Sequence, residues 1–124
     1  MPAESDPDRP AQPDDPEDRK IVALARSARA RTGAAEGACV RDTDGRTYAA
    51  ATVDLPSLQL SAVQVAVAMA VSSGARGLEA AAVVGEATEP HDADLAAVRD
   101  LGAAGVTLFL ADPDGVLQSH QQVT

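Results

Sequence analysis

The run Ala80-Ala81-Ala82-Val83-Val84 constrains this chain more than any other segment, because five apolar residues in a row leave no polar face. Such a strand is covered on both sides, as in sheets that carry helices on each face. A second run, Val-Thr-Leu-Phe-Leu-Ala at 106–111, forms the next predicted strand. Between them a helix is predicted over 92–103, with Leu95, Val98 and Leu101 on one side and a stop near Gly102 or Gly105. Strand, crossover helix and strand make a unit whose helix packs back onto the sheet.

Upstream, Ile21, Leu24, Ala25 and Ala28 follow i, i+3, i+4, i+7 spacing, while Arg26 and Arg29 lie off that stripe. This predicts a helix capped by Asp18 or a neighbour and ending before Gly33. Two strands, 37–41 and 46–53, are joined by Asp42-Thr43-Asp44-Gly45, whose Asp-Gly pair suits a tight hairpin. Pro56 breaks the chain into a loop, and a helix over 60–73 stops at Gly74. After the 106–111 strand, Asp112-Pro113-Asp114-Gly115 turns the chain into a short last strand at 116–118. The main order is α-β-β-α-β-α-β, an α/β class with a mixed sheet and helices on its faces in three layers. Twenty-seven alanines leave little bulk per helix and imply close helix–sheet packing.

Residues 1–18 hold five of the eight prolines, seven acids against Arg9 alone, and no large aliphatic side chain. A segment of that composition does not bury enough surface to offset its ordering entropy. The expected organisation is a disordered acidic tail at 1–18, one domain at 19–118, and a polar tail at 119–124. The net charge of −9, with Tyr48 and Phe109 as the only aromatics, argues against nucleic-acid binding. No run of eighteen apolar residues exists, so no membrane span is expected, and the acidic start is unlike a signal peptide. A cytoplasmic location is the expectation. The single cysteine, Cys39, rules out a disulfide within one chain and reads as a small buried hydrophobe.

Several junctions carry local sequence that resembles the small nucleoside cytidine deaminases over about residues 20–118. Asp44-Gly45-Arg46-Thr47-Tyr48 matches the family's Asp-Gly-x-x-Tyr hairpin. Thr52-Val53-Asp54-Leu55 stands opposite its Asn-x-Glu-Asn element. Ser61-Ala62-Val63 and Ala70-Val71-Ser72-Ser73-Gly74 stand opposite a Cys-Ala-Glu start and an Ala-Val-Ser-x-Gly ending, with the interval kept. Pro90-His91-Asp92-Ala93-Asp94 stands opposite Pro-Cys-x-x-Cys.

The resemblance implies a cytidine deaminase fold with the chemistry removed. Deamination of this type needs zinc on three protein ligands with a fourth position for water. A glutamate must then move protons between that water and the base. The ligand positions hold Ser61, His91 and Asp94, and the proton-shuttle position holds Val63. A serine hydroxyl is a poor zinc ligand at neutral pH and valine transfers no proton, so no catalytic residue, bound metal or zinc cofactor is expected. The positions that contact ribose hydroxyls in the family correspond to Thr52 and Asp54, a weak ligand-binding pair here; Asp54 also reads simply as an acid at a strand end. For His91, pairing with Asp94 at i, i+3 as metal ligands competes with a plainer reading, in which Asp92 or Asp94 caps the helix. Ser61 reads as an N-cap. His120 lies in the polar tail and carries no signal.

Only Gln64 is polar between residues 62 and 71. A helix apolar all round must be buried all round, so Val63, Val67 and Met69 are expected at a contact between copies; the resemblance implies a dimer or tetramer. Three functional readings follow. The first is a non-catalytic deaminase-fold protein acting by self-association or by binding a protein partner, its vacated site packed with Ala62 and Val63. The second is a nucleoside or small-ligand module anchored by Asp54. The third is a hydrolase with a rearranged site using His91 and Asp94.

Overall fold

The computed structural model describes residues 11–102 and 105–124. Its element order is α1 (Pro16–Thr32), β1 (Gly37–Asp42), β2 (Thr47–Ala51), β3 (Val53–Leu55), β4 (Leu58–Leu60), α2 (Ala62–Ser72), β5 (Leu78–Val84), α3 (Asp92–Leu101), β6 (Val106–Ala111) and β7 (Leu117–Val123). Five strands form one sheet in the order β2-β1-β5-β6-β7; β3 and β4 pair separately. The β5–β6 pair is parallel and its neighbours are antiparallel, giving the mixed sheet the sequence predicts.

Strand periodicity sorts the side chains between two cores. Ala38, Val40, Ala81, Val83, Leu108 and Leu110 pack toward α2 and α3. Cys39, Ala80, Ala82, Val84, Phe109 and Ala111 pack toward Ile21, Val22 and Ala25 of α1. The alternation is invisible in the sequence because both faces are apolar, as a sheet between two helical layers requires. Small residues set the spacing. At Gly37 a Cβ would collide with the Ala25 carbonyl oxygen, so α1 lies against β1 only because that position has no side chain.

Three expectations need correction. The expected tail at 1–18 is cut short, because α1 starts at Pro16 with the Asp15 carboxylate accepting from the Glu17 amide at 2.8 Å. Proline in the first turn and acids near the N-terminus favour a helix start, a signal that disorder-like composition concealed. Pro13 is buried and the Ala11 carbonyl accepts from the Leu117 amide at 2.9 Å; residues 1–10 lie outside the described residues.

Second, 119–124 is not a tail. β7 runs to Val123, which is 2 % exposed, and His120 sits opposite Phe109. An edge strand with a solvated face holds its place by backbone bonds, so Gln118 to Gln122 advertise nothing in sequence. Third, Pro56 marks the turn of the β3–β4 hairpin, and Leu60 belongs to β4 rather than to the helix. The predicted strand over 46–53 is correspondingly divided between β2 and β3 at Thr52. The last residue of the helix predicted over 92–103 lies outside the described residues, and α3 ends at Leu101. No described helix is long and apolar enough to cross a membrane.

Candidate functional site

The N-terminal end of β1 and the C-terminal ends of β2 and β5 lie at one end of the sheet, because β1 runs antiparallel to both neighbours. The N-termini of α2 and α3 arrive at the same end, bringing Ser61 and His91 beside the loops that follow β2 and β5. A crevice at strand ends is where open α/β sheets bind ligands. Here it is a cavity of about 590 Å³, walled by Glu36, Thr52, Asp54, Ser61, Glu86 and His91. Drug-sized ligands occupy sites of about 300–1,000 Å³. A second cavity, about 500 Å³, lies against α1 between Pro13, Arg26 and Asp114, away from all of these positions.

Ser61 is the N-cap of α2, as expected. Its hydroxyl oxygen accepts from the Gln64 amide at 3.1 Å while the Gln64 side chain accepts from the Ser61 amide at 2.9 Å, a reciprocal capping box. The same hydroxyl meets Asp94 Oδ1 at 2.5 Å. Asp94 therefore does not cap α3. It is 0 % exposed, and among the described residues its Oδ2 has no partner. Burial pushes the Asp94 pKa up, against the lowering influence of Ser61 and His91. His91 occupies the N-cap of α3 without a side-chain capping bond. Instead its Nε2 lies 3.3 Å from Glu36 Oε2, so the alternative reading that paired His91 with Asp94 gives way to a His91–Glu36 pair.

Glu36 escaped sequence reading. Its side chain is only 12 % exposed, and burial raises its pKa, with the His91 contact opposing and Asp94 adding to the rise. Thr52 holds it in place: its Oγ1 accepts from the Glu36 amide at 3.0 Å and donates to the Glu36 carbonyl at 3.3 Å. Thr52 thus lines the cavity with its hydroxyl already engaged. Asp54 is exposed, sits opposite Gln59 in the hairpin and lines the cavity. The signal for Glu36 was a lone acid between Ala35 and Gly37 in an otherwise apolar entry to a strand.

Val63 is 0 % exposed and packs in the core with Ala62, Ala66 and Val98. It is therefore unavailable to another copy, which corrects its expected place at an interface. Val67 is half-buried against the same core, whereas Met69 is 40 % exposed. Ala62 and Val63 are packed into that core, as the apolar filling expected there, and neither lines the cavity.

These side chains do not fit a catalytic zinc. Ser61 and Asp94 bond to each other, and His91 faces Glu36. Among the described residues no three His, Cys, Asp or Glu side chains gather to hold a metal ion. A zinc site of this type needs three converging donors and an open fourth position.

Residues 14–115 match the family described as cytidine deaminase-like. The fold is similar to that of cytidine deaminase from Burkholderia pseudomallei, with TM-score 0.73 and 23% identity over 84% of this chain and 91% of that one. Cytidine deaminase from Mycobacterium leprae aligns with TM-score 0.66 and 19% identity over 84% and 91% of the two chains. For cytidine deaminase from Mycobacterium tuberculosis the TM-score is 0.62 and the identity 25%, over 72% and 80%. No curated protein matches the sequence significantly.

Proposed function

The chain belongs to the cytidine deaminase-like family, and on that premise we propose that it is a non-catalytic member, free of zinc, that works by binding a small polar ligand of nucleoside size. One observation carries the loss of catalysis. The family's proton-shuttle position holds Val63, which is sealed in the core at 0 % exposure. Removing such a general acid–base group lowers a rate by about 10²–10⁴-fold even where the rest of a site survives. Supplying zinc does not restore a proton carrier.

The binding role rests on the cavity of about 590 Å³ whose wall includes Ser61 and His91. Asp54 supplies a carboxylate that accepts from ligand hydroxyls, and Gln59 and Glu86 add polar contacts on the same wall. A second reading, self-association, is favoured by exposed apolar side chains: Met69 and Val71 on α2, and Leu55 and Leu58 on the β3–β4 hairpin.

The test is paired. Cytidine and deoxycytidine, incubated with protein supplemented with zinc, are expected to lose no amino group above the buffer rate. A nucleoside panel is expected to include a compound that raises the melting temperature in a concentration-dependent way, since a ligand at 100 times its Kd stabilises by about 2.7 kcal/mol. Asp54→Ala should abolish that rise. Turnover that disappears in His91→Ala would overturn the non-catalytic reading. A flat panel would overturn the ligand.

A further inference from the structure

We propose that the Ser61–Asp94 hydrogen bond is a metal-free tie between α2 and α3, occupying the place where the resemblance puts a zinc ion shared by the same two helix starts. This inference is independent of the ligand reading, because it concerns the wall of the site and not its occupant.

The two residues stand at two of the three expected ligand positions, 33 apart in sequence, with Oγ and Oδ1 at 2.5 Å. Asp94 is 0 % exposed and Ser61 is half-buried at the cavity wall, so the bond is part-buried. Two helix N-termini converge here, and each presents unsatisfied amides and partial positive charge. A cation alone is disfavoured in such a place unless thiolates or carboxylates come with it. A single buried carboxyl group with a hydroxyl partner suits the same environment without any metal. The Ser61 hydroxyl serves both helices: it accepts from the Gln64 amide to cap α2 and donates to Asp94 in the first turn of α3. The hydroxyl's only proton is committed to Asp94 and one of its two lone pairs to the Gln64 amide, so it stays a neutral hydroxyl, a poor metal ligand. His91, at the third position, binds α3 to Glu36 in the loop before β1, so all three former positions now make contacts within the protein.

The tie predicts a stability that ignores chelators and a coupling between the two residues. Purified full chain treated with EDTA should melt within about a degree of the untreated protein, and elemental analysis should find no stoichiometric zinc. Asp94→Ala should lower the melting temperature by several degrees in the native background and by distinctly less in a Ser61→Ala background, because the second loss removes an interaction already gone. Ser61→Ala also removes a cap, so amide exchange separates the two effects. Loss of the cap alone speeds exchange in the first turn of α2, whereas loss of the tie also speeds it in α3. Should Asp94→Ala not fold, Asp94→Asn keeps an acceptor for Ser61 and is expected to retain its sensitivity to Ser61→Ala. Additive losses, exchange changes confined to α2, or a melting temperature that falls on chelation would each overturn the proposal.

Discussion

Asp42 lies on β1 three residues from Cys39, and both are buried, yet their acidities move in opposite directions. Burial drives the Cys39 thiol up to about 11, and nothing nearby offsets it enough. For Asp42 burial also acts to raise the pKa, but the bonds it accepts outweigh it. The Arg46 amide, the Tyr48 hydroxyl and the Asp44 amide all donate to this carboxylate at 2.9 Å and hold it below the usual carboxylate range. A depressed folded-state pKa contributes stability that is complete above the unfolded value of 3.8 and is lost as pH falls through the lower folded value. Replacing Asp42 with Ala leaves these donors without their acceptor and should cost about 1.5–3 kcal/mol at pH 7. The deficit relative to the native chain should shrink below about pH 3.8, measured by urea denaturation across pH. A deficit independent of pH would refute the account. The Asp-Gly turn was legible because Gly45, at φ 86°, needs the conformational freedom of glycine. Nothing in the sequence indicated that Asp42 would hold the turn from within, or that Glu36 would face His91, because both contacts form only once β1 is placed.

At the scale of elements, legibility followed the strength of the local pattern. β6 matches its predicted span at 106–111, and β5 and α2 differ from theirs by two residues at most, because apolar runs and glycine stops mark them. The extension of β7 beyond Gln118 and the β3–β4 hairpin were hidden, since backbone pairing at a solvated edge places no demand on side-chain pattern. The start of α1 was hidden by composition. The first turn of α1 and the segment before it contribute to stability. Deleting residues 1–18 removes the Asp15 cap, buried Pro13, the Ala11–Leu117 backbone bond and the Asp18 partner of Arg41 at 3.0 Å. The cap alone is worth about 1 kcal/mol, and a domain of this size loses roughly 4–8 °C of Tm for each kcal/mol. The 19–124 chain should therefore melt roughly 5–10 °C below a chain beginning at Ala11. Equal melting temperatures would mean that residues 11–18 dock without contributing to stability. Calorimetry on the two chains decides it.

At the scale of the whole molecule, α2 keeps an apolar face that no other described residue covers completely. On α2, Ala62, Val63, Ala66 and Ala70 face the core and Val65 and Val67 are half-buried, while Met69 and Val71 are 40% and 54% exposed. The sequence correctly marked this helix as apolar on every side; it did not reveal which side the sheet would take, so Val63 was assigned outward when it points in. Contact between copies through the remaining face would remove these side chains from water. Full burial of a Val or Met side chain contributes about 1.5–3 kcal/mol, and half-exposed ones contribute correspondingly less. Leu55 and Leu58, at 55% and 49% exposure, offer more apolar surface on the hairpin. The net charge of −9 opposes association by mutual repulsion, and salt weakens that repulsion by screening it. Light scattering should therefore report a multiple of 12.6 kDa at micromolar concentration, with tighter association at 0.3 M salt than at low salt. Met69→Lys combined with Val71→Glu should yield a folded monomer, since neither side chain belongs to the core. Val63→Glu, by contrast, should unfold the chain, because an unpaired charge would be forced among buried aliphatic groups. A native chain that scatters as a monomer, or an oligomer that survives the double substitution, would place association elsewhere or nowhere, and leave the exposed face of α2 as ordinary surface.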